Sequence, residues 1–191
     1  MKTASNGRVI LREARILPIK VSHDFLTNIV KLAHELPRIF HWLSFTVVED
    51  EGFSIDFAYN HQRGQYNAEE ILNELKRRKG FRVLGVTQVD LYVPSLNFVF
   101  GLAEYGGNAA LISTNRLRPG FYGEPHDEKK FFERMIKEAV HELGHTFFLK
   151  HCPRSYCVMH FSNSIYETDA KKKEFCHVCK RELEEKIESI V

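Results

Sequence analysis

The sequence predicts an α/β (α+β) fold. A mixed, mostly parallel sheet with an antiparallel edge strand carries a long helix, followed by a cysteine-stapled C-terminal segment and a final helix. Three observations carry that prediction. Apolar runs alternate with segments of three-to-four-residue periodicity between Arg8 and Gly80, as β-α-β units do. The pair Gly106-Gly107 separates two further apolar runs, which is a hairpin signal. From Glu128 to Phe147 the apolar residues recur at helical spacing.

The elements follow in order. Arg8 to Lys20 contains an apolar run ending at Pro18 and reads as the first strand. Asp24 to Leu36 places Phe25, Ile29, Leu32 and Leu36 on one helical face, with Ser22 or His23 near its cap. Phe45 to Val48 is the next strand, ended by the acidic turn Glu49-Asp50-Glu51-Gly52. Asn67 caps a helix bearing Ile71, Leu72 and Leu75 that stops at Gly80. Val83 to Val93, Asn97 to Tyr105 and Ala109 to Thr114 are strand-forming runs. Arg116 to Asp127, with two prolines and two glycines, is the loop before the long helix, and Asp127 is its N-cap. From about Thr168 onward, Phe175, Cys179, Leu183, Ile187 and Ile190 keep helical spacing as a final helix returning to the core.

At 191 residues the chain is expected to form a single domain, with 1–127 as a sheet and helix part and 128–191 as a metal-binding part. A formal charge of +2 gives no field for nucleic acid or an anionic membrane. Lys171-Lys172-Lys173 reads as a solvated loop or helix start. Val9-Ile10-Leu11 is broken at once by Arg12 and Glu13, too short for a secretory leader. The best apolar run, Val93 to Ala103, contains Pro94, Ser95 and Asn97 and is no membrane span. A cytoplasmic monomer is expected, in which four cysteines serve as metal ligands or free thiols.

His141-Glu142-Leu143-Gly144-His145 lies near the end of the long helical stripe. Residues four apart share a helix face, so His141 and His145 can point at one ion, with Glu142 beside it as a base. His151, returning after the helix ends, would fill a third position and leave a fourth for water, the layout of a catalytic zinc site.

Cys152, Cys157, Cys176 and Cys179 form a second constellation, C-x4-C-x18-C-x2-C, that uses every cysteine of the chain. Two knuckles joined by a spacer match a structural tetrathiolate zinc, with His160 or His177 as alternative fourth ligands. Residues 152–179 are thin in large apolar groups, and structural zinc binding is worth on the order of 10 kcal/mol. Because Cys152 adjoins His151, the same clamp is expected to fix the third catalytic ligand.

With these residues in hand, the chain resembles the archaemetzincins, a branch of the metzincin zinc peptidases. The likeness rests on His141-Glu142-x-x-His145-x5-His151-Cys152, on Cys157-Val158-Met159, on Cys176-x-x-Cys179, and on the stretch from Leu84 to Gly101. The resemblance implies a zincin-like fold and two zinc ions. One is catalytic, on His141, His145 and His151; the other is structural, on the four cysteines. It further implies Glu142 as base and Met159 as the Met-turn residue beneath the site. Metzincins usually carry glycine where this chain has Phe148. Glycine takes positive φ freely, whereas Phe there costs about 1–3 kcal/mol. Either the turn moves to Leu149-Lys150, or Phe148 is held strained, its ring narrowing the cleft.

The expected reaction is hydrolysis of a peptide or protein substrate. Tyr156, His160, Tyr166 and Arg116 are candidates for a further electrophile. Substrate would lie along an edge strand near the site, for which Ala109 to Thr114 is the candidate; an interior strand is the alternative reading. Three rivals are a pseudo-enzyme that binds zinc or peptide without turnover, a DNA-repair-type protease, and a zinc-dependent RNA nuclease. The metal spacing and near-neutral charge weigh against the second, and the carboxylate of Glu142 against the third.

Overall fold

The computed structural model describes residues 12–50 and 52–190. The first strand, β1 (Arg12–Ile19), is followed by α1 (Leu26–Glu35) and β2 (Leu43–Val47). Residues 8–11 of the expected first strand lie outside the described residues. Two short strands, β3 (Tyr59–Asn60) and β4 (Gln65–Asn67), lead into α2 (Ala68–Leu75), where the Asn67 side chain accepts from Glu69 N at 3.0 Å as expected of a cap. Four strands come next: β5 (Arg82–Thr87), β6 (Leu91–Val93), β7 (Leu96–Val99) and β8 (Gly101–Ala103). Then come β9 (Ala109–Ser113), α3 (Glu128–Thr146), α4 (Ile165–Ala170) and α5 (His177–Ile190). Asp127 caps α3 by accepting from Lys130 N at 2.9 Å.

The main sheet has the order β2-β1-β5-β9-β8, parallel except for β8, which runs antiparallel to β9. Register places Ile16 beside Leu84 and Leu84 beside Ala110 on one face, and Leu17 beside Gly85 and Gly85 beside Leu111 on the other. Both faces are covered, as parallel strands require. The first carries α1, α3 and the cysteine segment; the second carries α2 and the small sheet β3-β4-β6-β7.

Three expectations are corrected. Ala109–Ser113 is an interior strand between β5 and β8, buried at all five residues, and the edge beside α3 is β8. Its sequence Ala-Ala-Leu-Ile-Ser lacks the alternation of a half-exposed strand, which is what a position between two neighbours demands. The run from Val83 to Val93 is two strands in two sheets, broken at residues 88–90, and the small sheet has no counterpart in the sequence reading. The final helix is interrupted between α4 and α5. There the chain bends past residues 156–158, with Lys172 N donating to Tyr156 O at 2.9 Å and Val158 N to Glu174 O at 3.2 Å. That excursion carries Cys176 to Cys157, which a continuous helix could not do.

Two polar clusters bolt α3 in place. Arg82, at the start of the central strand β5, donates from Nε to Thr146 Oγ1 at 3.0 Å and from Nη2 to Thr146 O at 3.2 Å. Its guanidinium lies 4.2 Å from the centroid of the Phe147 ring. Burial pulls it down to about 10, so it is charged at neutral pH and complements the helix C-terminus. At the other end Arg134, fully buried, forks onto Asp169 at 2.6 and 2.7 Å, and Lys137 Nζ donates to the carbonyls of Thr168 and Asp169, both at 3.0 Å. Burial acts to raise the Asp169 carboxyl, but the Arg134 fork and Lys130 outweigh it and hold it below the ordinary value.

Two predictions follow from these bolts. Arg82→Leu strips the Thr146 carbonyl of its donor and is expected to cost about 2–4 kcal/mol in denaturant unfolding. For Asp169, whose folded pKa is depressed, the stabilisation is present above the unfolded value of about 3.9 and is lost as pH falls below it. Asp169→Asn should therefore lower the midpoint at pH 7, with the gap to wild type closing toward pH 3 in a pH series of thermal melts.

Candidate metal centre and cleft

The last turns of α3 deliver His141, Glu142 and His145 to a cleft of about 760 Å³. Strands β7 and β8 form one wall; α3, Lys150-His151 and residues 161–163 form the other. The inner face of α3 is apolar where it meets the sheet, at Met135, Ala139 and Leu143, and polar where it meets the cleft.

His141 and His145 are oriented by backbone carbonyls. His141 Nδ1 donates to Val158 O at 2.8 Å and His145 Nδ1 to Leu149 O at 2.7 Å. A carbonyl only accepts, so each Nδ1 carries the proton and each Nε2 presents a lone pair. Those two Nε2 atoms are 3.1 Å apart. His151 completes the group, its ring stacked 5.3 Å from that of His141, and one nitrogen from each of the three rings lies within 4.8 Å of the others. Burial pushes His141 well below its ordinary value, His145 down to about 4, and His151 downward, so all three are neutral at pH 7. Neutral imidazoles with facing lone pairs repel unless a cation lies between them. Nitrogen ligands about 2.1 Å from a tetrahedral ion stand about 3.4 Å from one another, so the triad suits zinc.

Glu142 is buried against the edge strand. A Cβ at Gly101 would lie 2.6 Å from Glu142 Cγ and Oε1, so only glycine lets β8 approach this closely. Burial, then the neighbouring Glu138, drives the Glu142 carboxyl well above the usual carboxylate range, with Lys171 opposing. Glu138 and Lys171 were missed as cleft residues. Lys171 is 2% exposed, its Nζ 3.1 Å from Glu138 Oε1, and Thr168 Oγ1 donates to the same oxygen at 3.2 Å. The expectation of a solvated lysine run thus fails at Lys171. The available signal was Glu138, which lies one helical turn before Glu142 and so shares its face.

The four thiols are buried together. Cys152 Sγ is 3.8 Å from Cys176 Sγ, Cys157 Sγ is 3.7 Å from Cys179 Sγ, and all four lie within 4.8 Å of one another. Burial raises Cys157 and Cys179, while at Cys176 it is outweighed by the Cys179 backbone amide together with the Cys157 and Cys179 side chains, which bring the thiol down to about 7. Four sulfurs this close form a donor set suited to a soft cation. The alternative fourth ligands lie elsewhere: His160 Nδ1 donates to Cys152 O at 2.9 Å, and His177 is exposed. Met159 is fully buried with its sulfur against Gly144, and its carbonyl accepts from Cys152 N at 2.9 Å.

Phe148 is left-handed, φ 65°, so the turn has not moved along the chain. Its ring packs on Tyr105 and Gly106 and does not line the cleft, which corrects the expectation that it narrows the opening. None of Tyr156, His160, Tyr166 and Arg116 lines the cleft either; Arg116 forks onto Asp90 at 2.7 Å through both contacts.

Residues 44–185 match the family model described as Peptidase family M54. An archaemetzincin from Pyrococcus furiosus is 54% identical over 134 residues, covering 68% of this chain and 70% of that protein. One from Methanocaldococcus jannaschii is 48% identical over 130 residues, covering 68% and 72%. Among solved structures, the archaemetzincin of Methanopyrus kandleri superposes with a TM-score of 0.83 at 32% identity, over 97% of this chain and 99% of that one. That of Archaeoglobus fulgidus, complexed with malonate, gives 0.76 at 38% identity over 89% and 99%. A family model that spans most of the chain, a shared zincin-like α/β architecture and a triad of converging imidazoles lead to one assignment: the chain belongs to peptidase family M54, the archaemetzincins, and is a zinc metallopeptidase.

Proposed function

We propose that the chain hydrolyses peptide bonds with a zinc ion held by His141, His145 and His151, and that Cys152, Cys157, Cys176 and Cys179 hold a second, structural zinc. The observation that carries this reading is the pair of inward-turned Nε2 atoms 3.1 Å apart beside a buried carboxylate in the wall of the cleft. Zinc at the imidazoles supplies Lewis acidity toward water and toward the scissile carbonyl.

The chain's own residues do the rest. Glu142, next to His141 in the wall of the cleft, takes the proton of the attacking water and returns it to the leaving amine. Val158 O and Leu149 O hold the two helical imidazoles in the tautomer that leaves Nε2 free for the ion. Met159 supports the helix turn at Gly144 from beneath. Among the described residues, strand β8 pairs with β9 on one side only, so its other edge can take the backbone of an extended peptide beside Glu142.

Glu142→Gln keeps the shape of the side chain and removes the base. Peptide cleavage should fall by about 10²–10⁴-fold with zinc content unchanged; a variant that retained full turnover would remove Glu142 from the mechanism. Elemental analysis of the purified chain should find about two zinc ions, and about one in each of a His141→Ala/His145→Ala and a Cys176→Ser/Cys179→Ser variant. Cys157→Ser should lower occupancy at the imidazoles as well as at the thiols, since the next residue supplies the carbonyl that holds His141.

A further inference from the structure

Phe148 stands where the chain leaves α3 and turns back toward His151, and it is one of two non-glycine residues with positive φ among those described. The left-handed conformation costs an ordinary side chain about 1–3 kcal/mol, so the surrounding structure must over-determine it. Bonds local to the turn account for part of this: Phe148 N donates to His145 O at 3.0 Å and Leu149 N to Gly144 O at 3.2 Å.

The remaining bonds come from a distant part of the chain, the tip of the β8–β9 hairpin. The Tyr105 hydroxyl donates to Phe148 O at 2.8 Å, and Gly106 N donates to His145 O at 2.9 Å. The Tyr105 and Phe148 rings meet edge to face, 5.6 Å between centroids. Gly106 is itself left-handed at φ 69°, and a Cβ there would run into the Phe148 ring. The residue after Phe148 is Leu149, whose carbonyl orients the His145 imidazole, and His151 follows two residues later.

We propose that Tyr105 is a positioning residue for the metal-binding imidazoles: its hydroxyl, seated on the carbonyl of Phe148, holds the strained turn that aims His145 through Leu149 and returns His151 to the site. Tyr105 lines the mouth of the cleft, but its oxygen is turned to the loop backbone. The clamp compensates for a bulky residue at a position that glycine would occupy without help. It follows that the need for the hydroxyl depends on what occupies position 148. This inference rests on the reading of the three histidines as zinc ligands.

The test is a double-mutant cycle read by zinc affinity, using competition with a chromogenic chelator on the full chain. The His141→Ala/His145→Ala variant reports the zinc that the thiols hold. Tyr105→Phe removes one oxygen and should weaken zinc at the imidazoles about 10-fold, with the thiol site unchanged. Phe148→Gly should bind zinc as well as wild type. Adding Tyr105→Phe to Phe148→Gly should cost less than threefold, because glycine adopts the turn unaided. Wild-type affinity in Tyr105→Phe alone, or an equal loss in both backgrounds, would overturn the positioning role while leaving the zinc assignment standing. A wild-type chain whose imidazoles bind no zinc would overturn both.

Discussion

Cys157, Val158 and Met159 are consecutive, and each serves a different part of the site. The Cys157 sulfur belongs to the thiol cluster, the Val158 carbonyl accepts a hydrogen bond from His141 Nδ1, and the Met159 carbonyl accepts one from the amide of Cys152, next to His151. Met159 also fills the space beside Gly144, between the two helical histidines in sequence. These three residues, in a tight turn closed by His160 N donating to Cys157 O at 2.9 Å, thus set the tautomer of one imidazole, the level of the helix turn and the path of the returning chain. A displacement of this segment would misplace all of these together, because its carbonyls and side chains face opposite partners at fixed spacing. The thiol cluster holds the segment at Cys157 and at the residues it pairs with near Cys176. The stability of the tail and the geometry of the imidazoles are therefore one constraint.

Helix α3 carries an unusual load of buried polarity for a helix at the centre of a core. Arg134, Lys137, Glu138, His141 and Glu142 are all buried, and four of these five belong to ionisable types that seldom are. Four of the five have an identifiable answer to their desolvation. Arg134 and Lys137 are answered by α4, Glu138 by Lys171 and Thr168, and His141 by Val158 and neutrality. Glu142 alone is left with its carboxyl raised and facing the cleft, where chemistry can use it.

Much of this was legible in the sequence because the signals were local. The Asp127 and Asn67 caps, the stripe through α3, the Gly106 hairpin and the HExxH and cysteine spacings each depend on residues close together in the chain, and each lies where the spacing placed it. What failed depends on neighbours that sequence does not reveal. Whether Ala109–Ser113 is interior or edge is decided by which strand lies beyond it, and the hairpin itself supplies β8 as that strand. The break after α4 follows from the need to bring Cys176 across to Cys157, a distance constraint that helical periodicity cannot encode. Lys171 looked solvated because it begins a run of three lysines, yet Glu138, thirty-three positions earlier, draws it inside.

The guanidinium of Arg82 has one last consequence. It reaches from the middle strand of the main sheet to the final carbonyl of α3, so the helix end is moored to the sheet and not only to the chain that follows it. The residues after the helix can therefore serve the site, with Leu149 O aiming His145 and the turn returning His151, while Arg82 shares in holding the helix end. A change that disturbed the turn would then reach His145 and His151 first, while His141, a turn further up the moored helix and held by Val158 O, kept its place.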